Sequence, residues 1–472
     1  VANASSSPFA PNPVLSRSHA IVVGLGITGL SAARWLASQG ARVTVADSRE
    51  QPPSLDELRN AVPQATLRLG AFSVETFADA DLLVVSPGVP LATPAIDATV
   101  RRGIPAVGDV ELFARAIAGR PAKVIAITGS NGKSTVTTMV GQMCEAAGLR
   151  TVVAGNIGLP VLDALAATPD ADVYVLELSS FQLETTSTLA PDAATVLNVS
   201  EDHLDRYQGM VHYAATKAHI FHGQGAMILN REDEYSRDMG LPGRHVIRFG
   251  QDAPRRADEY GLVAEGNDFA LRVGDSTLLR ASDLPVAGLH NAVNALAALA
   301  LCRAIGLPPA PLVKALKGFK GLPHRVEFVA NVDGVGYYDD SKGTNVGATE
   351  AALKGMTRPV VLIAGGDGKG QDFGPLKPAC ARICRAVVLI GRDGPQIAAA
   401  LEGTEAGLAG GMLPLVAEPT LEQAVRTAAN LAQRGDVVLL SPACASLDMF
   451  RNYHHRAEVF IDAVRALEPA AP

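Results

Sequence analysis

Two glycine-rich loops, each set between an apolar run and a helical pattern, constrain this chain more than any other feature. The first is Gly24-Leu25-Gly26-Ile27-Thr28-Gly29, after the apolar run 20–23. The second is Thr128-Gly129-Ser130-Asn131-Gly132-Lys133-Ser134-Thr135, after the run 123–128. A strand that ends in glycine and turns directly into a helix aims backbone N–H groups and a helix N-terminus at one point, which is how α/β folds hold phosphate. A glycine turn that binds nothing is the plainer reading of the first loop. The second leaves little room for it, because Lys133 and Ser134 follow the last glycine.

The first loop is followed, at the end of the next apolar run, by Asp47, placed where an acid can accept a ribose hydroxyl. Taken alone it suits a dinucleotide or any other nucleoside diphosphate. The second has its glycines closer together than the usual phosphate loop. Its amides would cradle phosphates, Lys133 would reach the β/γ region and the Ser134 hydroxyl would ligate Mg²⁺. A dehydrogenase needs the first loop and not the second; a plain ATPase needs the second and not the first. An enzyme that acts on a nucleotide-linked substrate at the expense of ATP needs both. A regulatory protein that binds both nucleotides without turnover is the rival from another class.

The length of 472 residues allows roughly three domains. Short Val/Ile/Leu runs alternate with longer helical patterns, which predicts βαβ units and mostly parallel sheets. Buried strands are expected at 20–23, 42–46, 82–86, 123–128, 173–178, 195–199, 360–364, 386–390 and 436–440. Between 247 and 289 the pattern becomes charged and Gly-punctuated, which predicts a small antiparallel patch inserted in the middle domain. Breaks near Gly108 and Gly321 divide the chain into a flexible leader, 1–18, outside the fold, and three α/β domains: 19–108, Rossmann-like; 109–321, phosphate-loop; and 322–472, Rossmann-like.

Charged residues make up 19% of the chain, below the roughly 25% of an average globular protein. The net charge of −7 supplies no global basic field for nucleic acid. Anionic ligands must therefore be held locally. Five cysteines at 144, 302, 380, 384 and 444 show no metal-ligand spacing, and predict reduced thiols in a cytoplasmic protein. The apolar stretches 19–33 and 286–302 are broken by glycine or by His290, Asn291 and Asn294, so neither reads as a membrane span. No interface stripe suggests more than a monomer.

Polar clusters follow several of the expected strands, where open α/β sheets place ligand groups. Glu177 and His203, each a short step past a strand, could converge on a cation bound to phosphates, Mg²⁺ or Mn²⁺; a lone Glu or His is otherwise a cap. In the last third, Asp340-Ser341-Lys342, Gly366-Asp367-Gly368-Lys369 and Ser441-Pro442-Ala443-Cys444 repeat the arrangement. Their lysines suit a carboxylate-bearing or phosphorylated substrate, solvated loop lysines being the alternative.

The segments GLGITGLS, SPGVP, TGSNGKST, GNIG, LELSSFQLE, NVSEDHLDRY, GLHNAVNALAA, GLPHRVE, DDSKGTN, GGDGKG and SPACASLDMF, in this order, resemble the motif series of the Mur ligases. SPGVP and the pairing of LELSSFQLE with SPACASLD favour the member that adds D-glutamate. The resemblance implies a three-domain ATP-dependent amide ligase of peptidoglycan precursor synthesis. ATP would phosphorylate the carboxylate of UDP-N-acetylmuramoyl-L-alanine and the D-glutamate amine would displace the phosphate. It implies ATP contacts at Gly129 to Thr135, Asn291, Asn294, Arg325 and Asp340. Two Mg²⁺ ions would be held by Ser134, Glu177, His203 and a carbamylated Lys217, which with Lys133 form the catalytic set. The uridine nucleotide substrate would meet Gly24, Gly26, Ile27, Thr28, Gly29, Asp47, Ser48, Arg49, Ser86, Gly88, Asn156, Ser179 and His203. D-glutamate would meet Lys342, Thr344, Lys369, Ser446, Leu447 and Tyr453, the last standing where the family has Phe. The loop from His203 to Lys217 is one residue shorter than the family's.

Overall fold

Both glycine loops leave the middle of a parallel sheet. The computed structural model describes residues 12–203, 206–266, 268–286, 288–407 and 410–467. In the first sheet the strand order is Thr66–Leu69, Arg42–Asp47, His19–Val23, Leu82–Val85, Ala106–Val107, all parallel. The chain winds one way from His19–Val23 and then returns to wind the other, so a crevice opens at the end of that strand, where Gly24 stands. The central sheet repeats the device. Lys123–Thr128 lies between Ala193–Val196 and Val173–Glu177, with Thr151–Gly155 beyond, and its C-terminal end carries the second loop.

The central sheet continues on its other side through Ala226–Asn230 and Val246–Phe249 to Tyr260–Glu265, Asp268–Val273 and Ser276–Arg280, the last three antiparallel to one another. The expected antiparallel patch is thus present, but as the edge of the sheet rather than a separate insertion. Tyr260 pairs in parallel with Phe249 and carries the ladder across. The third sheet is ordered Glu327–Val332, Val335–Asp339, Val437–Leu440, Val360–Gly365, Cys384–Ile390, Leu415–Ala417. It is parallel except for the hairpin at its first edge.

Parallel strands covered on both faces read as unbroken apolar runs; His19–Val23, Val173–Glu177 and Val360–Gly365 are buried at every position. The stretch 286–302 becomes the helix Leu289–Ala304, buried throughout from Ala295 to Cys302. It packs with Met139, Val140 and Met143 of the helix Lys133–Ala146 in one core. Small alanines let the two helices approach, and the buried leucines each contribute about 1.5–3 kcal/mol. No helix of the described residues is long and apolar enough to cross a membrane. All five cysteines are buried and unbridged.

Two expectations need correction. The strand expected at 195–199 is Ala193–Val196. After Leu197 donates to the Thr128 carbonyl, the chain turns its Asn198 side chain onto the phosphate loop instead of extending the ladder. The leader expected to end at 18 is already docked by residue 12. The Asn12 N–H donates to Gln39 Oε1 at 3.2 Å, and Leu15–Arg17 forms a 3₁₀ turn with Leu15 against the core. Residues 1–11 lie outside the described residues.

Candidate active site

The phosphate loop is built by close backbone approach. Gly132 sits at φ 82°, and a Cβ there would lie 2.8 Å from Asn294 Oδ1, so only glycine lets the helix Leu289–Ala304 close on the loop. Lys133 Nζ donates to the carbonyls of Gly129 and Ser130 at 2.8 and 2.9 Å. Lys217, from the helix Met210–Ala218, is 1% exposed and donates to the same Gly129 carbonyl at 3.0 Å. Burial, and then the nearby Lys133 charge, hold Lys217 well below the ordinary lysine value. Burial lowers Lys133 as well, against the pull of Glu177 and Asp202.

Glu177 ends its strand beneath the loop. Its Oε1 accepts from Asn156 Nδ2 at 2.7 Å, while Oε2 is buried with no partner. An orphaned buried acceptor costs roughly 1–3 kcal/mol, and more when charged. A divalent cation is what an oxygen donor in that position suits. Ser134, 3% exposed, accepts from Lys342 Nζ at 3.2 Å. His203 has φ 57°, its Nε2 lies 3.5 Å from Asp202 Oδ2, and its ring meets that of Phe181 at 4.6 Å between centroids.

Beside these residues lies a cavity of ≈ 920 Å³ between the first and central sheets. Of the positions expected at the uridine nucleotide, Gly24, Gly26, Ile27, Thr28, Asp47, Ser48, Arg49, Ser86, Gly88 and Asn156 line it. Gly29 does not. A Cβ there would come 1.9 Å from the Gly24 carbonyl, so this glycine serves helix-to-strand packing. Ser179 instead caps the short helix Ser180–Leu183, and His203 lines a different cavity. Asp47 is already engaged, accepting from the Leu25 N–H at 2.7 Å and from Arg49 Nε and Nη2 at 2.8 and 2.7 Å. Burial would raise its pKa, but Arg49 and the two backbone N–H donors outweigh it and set it at about 2. Asp47 therefore braces the glycine loop and aims Arg49.

A second cavity, ≈ 160 Å³, joins Asn131, Gly132 and Thr135 of the loop to Asn291, Asn294, Arg325 and Asp340. Gly129, Ser130, Lys133 and Ser134 belong to the same loop. Arg325 is flanked by His324 and Val326, both in the left-handed region at φ 61° and 50°, and its Nε is buried without a partner. His324 Nδ1 lies 2.6 Å from Asp339 Oδ2, which pins this strained turn to the third sheet. Asp340 accepts from Ser441 Oγ at 2.7 Å; burial pushes its carboxyl up to about 7, opposed by Ser441 and Arg325.

The six positions expected at D-glutamate are not gathered round one cavity. Lys342 and Tyr453 line the large cavity, with Lys342 Nζ 5.4 Å from the Tyr453 ring centroid. Burial, then Arg325, lowers Lys342 to about 8. Lys369, at φ 53°, donates to Asp202 Oδ1 at 3.3 Å and lines a ≈ 740 Å³ cavity with His203. Thr344, Ser446 and Leu447 line none of these, and Leu447 is 72% exposed.

Three contributors escaped the sequence reading. Asn198 accepts from the Asn131 N–H at 2.8 Å and donates to the Asn131 carbonyl at 3.0 Å, clamping the phosphate loop. Asp202, 7% exposed, stands between Lys369 and His203. Both lie in the polar run after a strand, which was the available signal. Phe72, on the wall of the large cavity, had none.

Family models match most of the chain: the Mur ligase MurD-like N-terminal domain over residues 18–108, the Mur ligase middle domain over 127–302, and the Mur ligase glutamate ligase domain over 324–444. The chain is 59% identical to a UDP-N-acetylmuramoylalanine–D-glutamate ligase from Methylobacillus flagellatus over 448 residues, 95% of this chain and 97% of that one. It is 59% identical to the same-named protein of Chromobacterium violaceum, over 96% and 98%. Among solved structures it is similar in fold to the UDP-N-acetylmuramate-alanine ligase MurC of Thermotoga maritima, with a TM-score of 0.59 at 20% identity over 95% of this chain and 100% of that one. A pseudomurein peptide ligase of Methanothermus fervidus also scores 0.59, at 16% identity over 94% and 100%.

Proposed function

The chain belongs to the Mur ligase family, on its MurD-like branch, and from that premise we propose that it joins D-glutamate to the carboxylate of UDP-N-acetylmuramoyl-L-alanine with conversion of ATP to ADP and phosphate. It would do so as a cytoplasmic monomer in peptidoglycan precursor synthesis. One observation carries the reading: Lys342, from the third domain, bonds Ser134 of the phosphate loop and also lines the large cavity of the first domain. A single side chain thus touches the places assigned to all three substrates.

The chemistry follows from the poor reactivity of a carboxylate as an acyl donor. Transfer of the ATP γ-phosphoryl group to the carboxylate oxygen gives an acyl phosphate and ADP. The D-glutamate amine then adds to the carbonyl carbon, and the tetrahedral adduct expels phosphate as the nitrogen gives up a proton to the departing phosphate or to water. Most of the rate enhancement is positioning and charge neutralisation. The phosphate-loop amides and Lys133 hold the ATP phosphates; Asn291, Asn294, Arg325 and Asp340 hold the nucleoside. Arg325 Nε, buried and unpartnered, is a donor such a ligand can satisfy. Gly24, Gly26, Ile27, Thr28, Ser48, Arg49, Ser86, Gly88 and Asn156 receive the uridine nucleotide, with Gly29 packing the loop behind them and Ser179 close by.

Ser134, Glu177, His203 and Lys217 would hold two Mg²⁺ ions, which neutralise phosphate charge when bound; Mn²⁺ suits the same donors. The orphaned Glu177 oxygen fits this assignment. Lys217 fits it as a carbamate. Burial and the nearby Lys133 charge shift it toward the neutral amine, the form that adds to CO₂ with loss of a proton to give an anionic oxygen ligand. For D-glutamate, Lys342 and Lys369 supply cations and Tyr453 an aromatic wall, with Thr344, Ser446 and Leu447 completing the site. The three sheets divide this work among domains 19–108, 109–321 and 322–472.

The test is product formation with amino acids varied one at a time. Phosphate release should require both UDP-N-acetylmuramoyl-L-alanine and D-glutamate, with L-glutamate, L-lysine and meso-diaminopimelate far weaker. Equal release with L-lysine, or none with any amino acid, contradicts the reading.

A further inference from the structure

Arg206 stands where the loop of the large cavity meets the segment that bears His203. Its side chain is only 12% exposed, and its charge is answered within the central domain. Nε donates to Glu184 Oε1 at 3.1 Å and Nη2 to Glu184 Oε2 at 2.7 Å, a two-point fork. The remaining reach crosses to the first domain, where Nη1 donates to the Pro87 carbonyl at 2.9 Å and Nη2 to the Val89 carbonyl at 3.5 Å. The guanidinium carbon lies over the Phe181 ring, 4.2 Å from its centroid, and the centroid of the same ring is 4.6 Å from that of His203.

Arg206 itself lines the ≈ 740 Å³ cavity, yet its hydrogen bonds are made within the protein. Its counter-charge is present and its donors are used on protein oxygens. What it does is join three things: the 86–89 loop, the Phe181 ring and, through that ring, the His203 imidazole. Ser86, Pro87, Gly88 and Val89 all line the large cavity, and Gly88 also lines the ≈ 740 Å³ cavity that holds His203 and Lys369. A substrate that displaces or stiffens the 86–89 loop must act on Arg206, and Arg206 cannot shift without changing its stack on Phe181. Lysine cannot replace it, because a single ammonium cannot fork to a carboxylate, reach two carbonyls and present a planar face together.

We propose that Arg206 is a positioning residue that couples occupancy of the nucleotide-sugar cavity to the placement of His203, and so to ATP binding and turnover. This rests on the assignment of that cavity to UDP-N-acetylmuramoyl-L-alanine. The test uses the full-length enzyme with Mg²⁺, titrating a non-hydrolysable ATP analogue by calorimetry with and without UDP-N-acetylmuramoyl-L-alanine. In the wild type the nucleotide sugar should change the analogue's affinity about fivefold or more, and reciprocally. In Arg206→Lys the affinity for each ligand alone should stay within about threefold of wild type while the coupling factor falls to about one and kcat drops at least about tenfold, KM for ATP moving less. Coupling unchanged in Arg206→Lys, or absent from a wild type that binds both ligands, overturns the proposal. Failure of the wild type to bind the nucleotide sugar overturns the cavity assignment instead. Should Arg206→Lys not fold, Glu184→Gln removes one charge of the fork and leaves Arg206 in place; reduced coupling supports the proposal and full coupling overturns it.

Discussion

Lys217 is a residue whose chemistry depends entirely on where the chain buries it. A solvated lysine is a cation and repels metal; this one is 1% exposed, and burial and the Lys133 charge push its pKa down and so disfavour the ammonium form. Lys217→Ala should abolish turnover and leave uridine nucleotide binding by calorimetry within about twofold of wild type. Retained turnover would show that no carbamate at this lysine is needed. Asp340 poses the opposite problem. Its carboxyl is raised from 3.8 to about 7, so the folded state holds a proton between those values, and the cost of burying the charge is absent below pH 4 and complete above pH 7. Asp340→Asn should therefore raise the Tm at pH 8 but not at pH 4. In the native enzyme KM for ATP should rise as pH falls through about 7 and the carboxylate loses acceptor strength; in Asp340→Asn that limb should be flat. An unchanged Tm difference across this range would contradict the assignment.

At the scale of elements, the strand-to-helix loops show what glycine is for. A Cβ at Gly29 would strike the Gly24 carbonyl at 1.9 Å, backbone against backbone, with no side chain able to yield. Gly29→Ala should cost about 1–3 kcal/mol by overpacking, read as a lowered denaturation midpoint together with weaker uridine nucleotide binding; a neutral result would mean the loop is not held as described. Leu296→Ala, in the buried helix Leu289–Ala304, should cost about 2–5 kcal/mol with little effect on KM, since it lines none of the cavities described above. These elements were legible because periodicity and glycine placement are local. What crosses between distant segments was not. Asn198 ends a strand early in order to clamp Asn131, Leu15 docks a segment that reads as leader, and Asp47, placed to meet a ribose, is taken up by Leu25 and Arg49.

For the whole molecule, the acidic balance hides a local excess of cations. Lys133, Lys342, Lys369 and Arg325 gather about Glu177 and Asp202, although the chain carries a net charge of −7. Anionic substrates would thus be met where the three sheets face one another rather than by a general field. The motifs foretold which loops would face this cleft. They did not foretell that, of the expected D-glutamate positions, Lys342 and Tyr453 would line one cavity, Lys369 another, and Thr344, Ser446 and Leu447 neither, because that depends on how the third domain sits against the other two. Closing of the domains over the acyl phosphate would exclude water that otherwise hydrolyses it. In the proposed reaction the substrate carboxylate is phosphorylated before the amine attacks. UDP-N-acetylmuramoyl-L-alanine labelled with ¹⁸O in both carboxylate oxygens, turned over with unlabelled ATP and D-glutamate, should release phosphate carrying one ¹⁸O per turnover and leave the other in the new amide; phosphate free of label would contradict it.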